Sequence, residues 1–211
     1  MRFDKFTTKL QQALSEAQSM AVGSDNQFIE PQHLLLALLN DADSGAGSLL
    51  ARARVERRAL PDVPAACADR AYRAPLPLHV ARPVARREAA MGEAVARLAK
   101  VEGHGGEVQV GRDLSNLFNL TDKEAQKRGD QFIASEMFLL ALTNDKGETG
   151  RLLKTHGVLR VPLEQAINTV RGGESVGSQE AEGQRESLKK FTIDLTERAR
   201  QGKLDPVIGR D

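Results

Sequence analysis

The sequence predicts an all-α fold built from two homologous halves. Residues 27–40 read QFIEPQHLLLALLN and residues 131–144 read QFIASEMFLLALTN, so one phrase occurs twice, 104 positions apart. Apolar residues around both phrases recur at three- and four-residue steps, as in amphipathic helices, and strand patterns are nearly absent. Two copies are too few for a solenoid, so we expect a pseudo-twofold pair that shares one core.

Each copy is predicted to contain four helices, in residues 1–100 and 112–171. The first helix of copy one ends near Gly23 and carries its apolar residues on one face: Phe3, Phe6, Leu10, Leu14, Ala17 and Ala21. Pro31 fits the first turn of the second helix, where a missing N–H costs nothing, and Ser135 takes that place in copy two. The second helices are so continuously apolar that we expect them to be central.

Shorter apolar groups mark the remaining helices. Leu49–Leu50 and Leu152–Leu153 indicate the third helix of each copy. The fourth helices are indicated by Met91, Val95 and Leu98 in copy one and by Leu163, Ile167 and Val170 in copy two. The Gly-rich residues 101–110 (VEGHGGEVQV) are predicted to connect the copies.

Copy one contains a stretch with no counterpart in copy two, over about residues 56–90. It is rich in Ala, Arg and Pro and includes Pro61, Pro64, Pro75, Pro77 and Pro83. Five prolines argue against a long helix, so the stretch is predicted to be an extended, irregular surface insert. Its arginines are compatible with a basic patch for an acidic partner, with a solvated insertion, or with translation from a shifted reading frame.

Composition narrows the classes of function. The 211 residues carry a net charge of +1, which gives no case for a nucleic-acid or membrane partner. No apolar run is long enough to span a bilayer, and MRFDKFTTKL does not look like a secretory signal. The single cysteine, Cys67, fits a reducing cytoplasm.

Motifs for catalysis, metal binding or cofactor binding are not found. Gly202-Lys203 is followed by Leu204, so the phosphate loop G-x-x-x-x-G-K-[ST] is missing. The four histidines lack metal-ligand spacing, and His33 on a Leu-rich helix is interpreted as a packed or capping residue. We therefore expect a chain that is not an enzyme and holds neither metal nor cofactor.

The last forty residues are predicted to leave the domain. Residues 172–184 are Gly-, Ser- and Glu-rich and are interpreted as a mobile linker with little to bury. Residues 185–200 then have the pattern of an amphipathic helix through Leu188, Phe191 and Leu195.

Three stretches resemble a known family: QFIEPQHLLLALL, RGDQFIASEMF (128–138) and LKKFTIDLTERARQGKLDPVIGRD (188–211). They are similar to the N-terminal region of the ClpB disaggregases, hexameric AAA+ chaperones of the Clp family. The resemblance implies the Clp N-domain fold in residues 1–171, a linker, and the incomplete start of the first ATPase module in residues 185–211.

The function that the resemblance implies is capture of unfolded or aggregated polypeptide, in a stress or heat-shock response, for threading by ATPase modules that this chain lacks. It further implies a hexameric parent that uses ATP and Mg, cooperates with a DnaK-type chaperone system and works in the cytoplasm. Val207, Ile208 and Gly209 would lie near the adenine only in such a parent. The isolated chain is expected to be a monomer. Two alternatives stay open: an adaptor-docking N-domain of a protease-coupled Clp unfoldase, and a non-functional truncation.

Candidate substrate-binding residues follow from the same resemblance. An apolar groove between the two copies would involve Leu114, Leu117, Phe118, Leu120 and Met137. Thr7, Asp130 and Glu136 match polar positions linked to substrate handling. Each also has a structural interpretation: the apolar residues as core, Thr7 as a first-turn residue, Asp130 as a turn or cap, and Glu136 as a helix N-terminal carboxylate.

Overall fold

The computed structural model describes residues 3–41, 45–58, 78–101 and 108–185. A 3-10 helix at Phe3–Lys5 precedes α1. The α-helices that follow are α1 (Thr8–Gly23), α2 (Pro31–Asn40), α3 (Ala46–Arg58), α4 (Leu78–Ala96), α5 (Arg112–Lys127), α6 (Ser135–Leu142), α7 (Glu148–Thr155) and α8 (Arg160–Arg171). Over the described ranges, the prediction of four helices per copy is confirmed.

Local chemistry explains where the helices begin and end. The side chain of Thr7 caps α1 by accepting a hydrogen bond from the Leu10 amide at 3.4 Å. Pro31 opens α2 as predicted, and the ring Nδ1 of His33 accepts from the Glu30 amide at 3.0 Å. The capping interpretation of His33 is therefore confirmed. Gly172, with φ +62°, ends α8 in the left-handed region that favours glycine.

Two short parallel backbone contacts show the pseudo-twofold relation. Ile29 pairs with Val110 in the two-residue strands β1 (Phe28–Ile29) and β2 (Gln109–Val110). Phe6 makes a parallel bridge with Ile133. Phe6 and Val110 are equivalent positions of the two copies, and so are Ile29 and Ile133. Each copy thus pairs the residues before its first helix with those before the second helix of the other.

The two copies share one apolar core. The third helix of each copy packs against the fourth helix of the other, α3 on α8 and α7 on α4. Leu34, Leu35 and Leu38 of α2 and Met137 to Leu140 of α6 belong to a single buried cluster. The expectation that the second helices are central is confirmed.

One expectation about the insert is wrong. Residues 78–90 were expected to be irregular, yet α4 is a 19-residue helix that contains Pro83. Arg87, Met91, Ala94 and Val95 are buried on it. Their three- and four-residue spacing gives α4 a face to pack on α2, and this packing outweighs the lost hydrogen bond at Pro83. Residues 59–77, with Cys67, lie outside the described residues.

Candidate functional site

Residues 174–185, here called the docked segment, cross the surface at the start of α1 and α6. The carbonyl of Val176 accepts from the amides of Gln131 at 2.9 Å and Phe132 at 3.2 Å. The Val176 amide donates to Asp130 Oδ1 at 2.9 Å. Further along, the Gln179 carbonyl accepts from the Thr8 amide at 3.0 Å. The segment is therefore held by its backbone at two places, Val176 and Gln179, and the Val176 side chain is fully buried.

A carboxyl group of the docked segment caps α6. The N-cap residue of α6 is Ala134, whose side chain cannot accept a hydrogen bond. Glu182 supplies the missing acceptor: its Oε1 accepts from the Ser135 amide at 3.1 Å and from the Ser135 hydroxyl, and its Oε2 accepts from the Thr7 hydroxyl. Glu182 is 6% exposed. One side chain from the segment thus joins the start of α1 to the start of α6.

The equivalent place in copy one contains a carboxyl group of its own. Glu30 is the N-cap residue of α2, and its position corresponds to Ala134. A Cβ on Gly111, the counterpart of Thr7, would lie 2.5 Å from Glu30 Oε1. The pseudo-twofold axis therefore relates two similar sites. Copy one fills its site from α2 itself, and copy two fills its site from the docked segment.

Next to Glu182 lies a buried group of charges, the Arg171 cluster, formed by Asp130, Glu136, Arg171 and Arg185. Arg171 Nη1 donates to Asp130 Oδ2 at 2.8 Å, and Arg171 Nε donates to Glu136 Oε1 at 2.9 Å. Arg185 Nη1 donates to the same Glu136 oxygen at 3.1 Å. The side chains of Asp130 and Glu136 are 0% and 6% exposed. Both acids thus depend on arginine for compensation.

The pKa values of the two glutamates shift in opposite directions. Burial alone raises the pKa of Glu136, but a hydrogen bond with Glu182 and the charges of Arg171 and Arg185 lower this pKa to about 2. Burial raises the pKa of Glu182 well above its usual range, and the negative charge of Glu136 adds to the rise. The hydrogen bonds from Ser135 and Thr7 oppose the rise without cancelling it. The site therefore favours an ionised Glu136 beside a protonated Glu182.

Stability of the docked segment should depend on pH. Because the pKa of Glu182 is raised, this residue stabilises the docked segment fully below pH 4.5, the ordinary pKa of a glutamate. That stabilisation is lost as the pH rises through the pKa of Glu182 in the docked state. Because the pKa of Glu136 is lowered, this residue stabilises the docked segment above pH 4.5, and that stabilisation is lost as the pH falls towards 2. Asp130 faces the pair from the turn before α6, Arg171 from α8 and Arg185 from the segment. We expect docking to be tightest at mildly acidic pH, just above 4.5.

Hydrogen exchange by NMR measures this effect. The protection factors of the Gln131 and Phe132 amides should be lower at about pH 8.5 than at about pH 5.5, since both amides donate to Val176. Glu182→Gln is the matched control, because its neutral amide imitates the protonated acid and should remove the difference. Equal protection at both pH values in the unaltered chain would contradict the assignment.

The structure brings the predicted polar residues together. Thr7 contacts Glu182, Glu136 contacts Arg171 and Arg185, and Asp130 contacts Arg171 and Val176. Each also has the structural role considered above, except that Thr7 is the N-cap of α1 rather than a first-turn residue. These three polar residues therefore form one site, although Thr7 lies more than a hundred residues from Asp130 and Glu136 in the sequence.

The predicted apolar residues are mostly inaccessible. Leu114, Leu117, Phe118 and Met137 are at most 2% exposed, because this face of α5 packs against α6. They cannot touch a bound polypeptide unless the domain rearranges. Leu120, at the edge of this face of α5, is 40% exposed. Direct contact with substrate stays a prediction for Leu120.

Sequence reasoning missed Ser135, Arg171, Glu182 and Arg185 as site residues. The composition of residues 172–184 predicted a linker with little to bury, but Val176 and Glu182 are both buried. One signal was present: Gly172 and Gly173 follow each other directly, and both adopt positive φ. Such a pair reverses the chain and returns it to the domain. Residues 186–211, with the predicted helix and with Val207, Ile208 and Gly209, lie outside the described residues.

The part of the chain that the structure describes shows neither a membrane-spanning helix nor a metal-binding cluster. None of the helices described there combines the length and apolar character needed to cross a membrane. Across the same four ranges, no three His, Cys, Asp or Glu side chains lie close enough to hold a metal ion.

Fold and site together define a two-repeat helical domain that holds a segment along one surface; the segment is irregular around Val176 and helical at residues 181–185. The family model for the Clp repeat (R) N-terminal domain matches residues 5–74 and 78–156. The chain belongs to this family.

Curated relatives and a solved structure agree with this assignment. The chain is 46% identical over 211 residues to chaperone protein ClpB of Vibrio cholerae serotype O1 and 41% identical to that of Pseudomonas putida. Each match covers 100% of this chain and 22% of the relative, so the chain spans about a fifth of their length. The crystal structure of the Hsp104 N-terminal domain from Candida albicans matches with a TM-score of 0.62 and 17% identity, covering 84% of this chain and 99% of that one. This last likeness confirms the fold.

Proposed function

We propose that this domain captures unfolded or aggregated polypeptide for a ClpB-type disaggregase. The observation that carries the proposal is the 46% identity to a chaperone protein ClpB over the whole chain. In this proposal, ATPase modules elsewhere in a hexameric cytoplasmic parent use ATP and Mg to thread the captured chain, in cooperation with a DnaK-type chaperone system. The isolated domain remains a monomer, and its own contribution is binding.

Weak binding suits this task. Unfolded chains expose apolar side chains, and burying one of them stabilises a complex by at most about 1.5–3 kcal/mol. Ordering the bound chain offsets much of that gain, so single contacts should be weak. Several tethered domains around one pore would raise the effective concentration, while each single contact would still release quickly.

Leu120 gives this proposal a direct test. A labelled polypeptide that stays permanently unfolded should bind the chain with micromolar or weaker affinity, measured by fluorescence anisotropy. Leu120→Asp should weaken binding about tenfold, because it removes roughly 1.4 kcal/mol of apolar burial. Val161→Asp is the matched control: Val161 is 64% exposed on α8, where no contact is proposed.

The unfolded polypeptide must also be preferred over the same polypeptide in a folded state. Binding of both forms with equal affinity, or no binding at all, would refute the capture proposal. Equal losses for Leu120→Asp and Val161→Asp would refute the role of Leu120.

A further inference from the structure

We infer that the surface under the docked segment is a peptide-recognition site. The chain's own residues 174–185 occupy this site and compete with other peptides. The site selects peptides of the pattern Val-x5-Glu-x2-Arg. The inference rests on the proposed function, because it names the class of polypeptide segment that this domain would take. Its support comes from the contacts of the docked segment alone.

The backbone contacts can hold the main chain of a bound peptide at two positions, those of Val176 and Gln179, just before the helical residues 181–185. The amides of Gln131, Phe132 and Thr8 donate to carbonyls of the segment, and Asp130 accepts from its amide at Val176. None of these four contacts depends on the side chain of the bound residue. Any polypeptide without proline at the Val176 position could make them.

The side-chain contacts provide the selectivity. Val176 is fully buried, so the first position requires a small apolar group. Six residues later, Glu182 places its carboxyl group on the Ser135 amide and on the hydroxyls of Ser135 and Thr7. Three residues further, Arg185 pairs with Glu136. Apolar, acidic and basic groups at these intervals define the pattern.

Comparison with the equivalent site of copy one indicates that the docked segment can be replaced by another peptide. Copy one keeps its carboxyl group on Glu30, the N-cap residue of α2, so the group stays beside its site whenever α2 is folded. Copy two has Ala134 at that position and takes its carboxyl group from Glu182, 47 positions beyond Ser135. Exchange of the occupant is therefore possible at copy two and not at copy one.

A tethered occupant makes the site appear closed to other peptides. A segment joined directly to α8 acts at an effective concentration of about millimolar, so a peptide added at micromolar concentration competes poorly. The apparent affinity for an added peptide is the intrinsic affinity multiplied by the fraction of molecules in which the site is open. Undocking the segment should therefore unmask binding.

The experiment uses a labelled peptide with the sequence of residues 174–185 (ESVGSQEAEGQR) and the full 211-residue chain. We expect little binding to the unaltered chain and at least about tenfold tighter binding to Val176→Asp/Glu182→Ala, which undocks the segment but leaves the receiving surface intact. Ser178→Ala is the control, because Ser178 is exposed and its side chain makes no described contact. A peptide with both changes, ESDGSQEAAGQR, should bind neither chain.

Two results overturn the inference: equal peptide binding to the unaltered chain and the double variant, or no peptide binding to the double variant while its circular dichroism shows an intact helical fold. Binding of the unfolded polypeptide is measured in parallel and separates this inference from the capture proposal. If the double variant binds the polypeptide and the peptide does not compete, the inference fails and capture stands. If neither chain binds the polypeptide although the double variant binds the peptide, capture fails and the recognition site stands.

Discussion

Replacing Arg171 by methionine should lower the free energy of unfolding by about 3–5 kcal/mol. Arg171 is 5% exposed and is paired with both Asp130 and Glu136, which are themselves buried. Methionine fills much of the same volume but cannot pair with the two buried acids. Glu136 would keep its ion pair with Arg185, and Asp130 would lose its ion pair with Arg171. Urea unfolding followed by circular dichroism measures the change.

Arg128→Met is the matched control for that experiment. Arg128 pairs with Glu164 at 2.9 Å, but the Glu164 side chain is 40% exposed, so solvent screens the pair. This control should cost less than about 1 kcal/mol. Similar losses for the two variants would show that the Arg171 cluster does not carry a buried charge pair.

Replacing Phe118 by alanine should also destabilise the domain by about 3–5 kcal/mol, through loss of apolar contact and creation of a cavity. The Phe118 ring packs 5.0 Å from Phe6 and 6.0 Å from Phe138, measured between ring centroids. Phe6 precedes α1 of copy one, whereas Phe118 and Phe138 belong to copy two. The cavity would therefore open at the contact between the copies.

Leu120→Ala on the same helix is the control, since Leu120 is 40% exposed. It should change the free energy of unfolding by no more than about 0.5 kcal/mol. Thermal unfolding of the three proteins under identical conditions gives the comparison. A Phe118→Ala variant as stable as Leu120→Ala would mean that the copies do not depend on this aromatic contact.

The fold was predictable because its signals are local or repeated. Pro31 marks a helix start through its own backbone chemistry. The repeated phrase predicts two similar halves and places Ser135 at the equivalent helix start. The reciprocal pairing of Phe6 with Ile133 and of Ile29 with Val110 follows once two such halves share a core. Pro83 misled the prediction, because the packing of Arg87 and Met91 decides the state of α4, and that packing involves distant residues.

The site was only half predictable. Thr7, Asp130 and Glu136 were found by resemblance, yet their shared partners were not. Glu182 looks like an ordinary surface acid in a polar stretch, and no local pattern predicts that it caps a helix 47 residues earlier. Arg171 likewise resembles a solvated helix C-terminal cation until the positions of both acids are known. Contacts of this kind depend on the assembled fold.

The docked segment also sets how far the domain can travel from whatever chain follows it. While residues 174–185 lie against α1 and α6, their length is taken up by the domain surface. Once released, a stretch of about twelve residues can extend to roughly 40 Å, at about 3.3–3.6 Å per residue. If another peptide occupied this surface, residues 174–185 would be released and would lengthen the linker. The domain could then reach a larger volume around the chain that follows it.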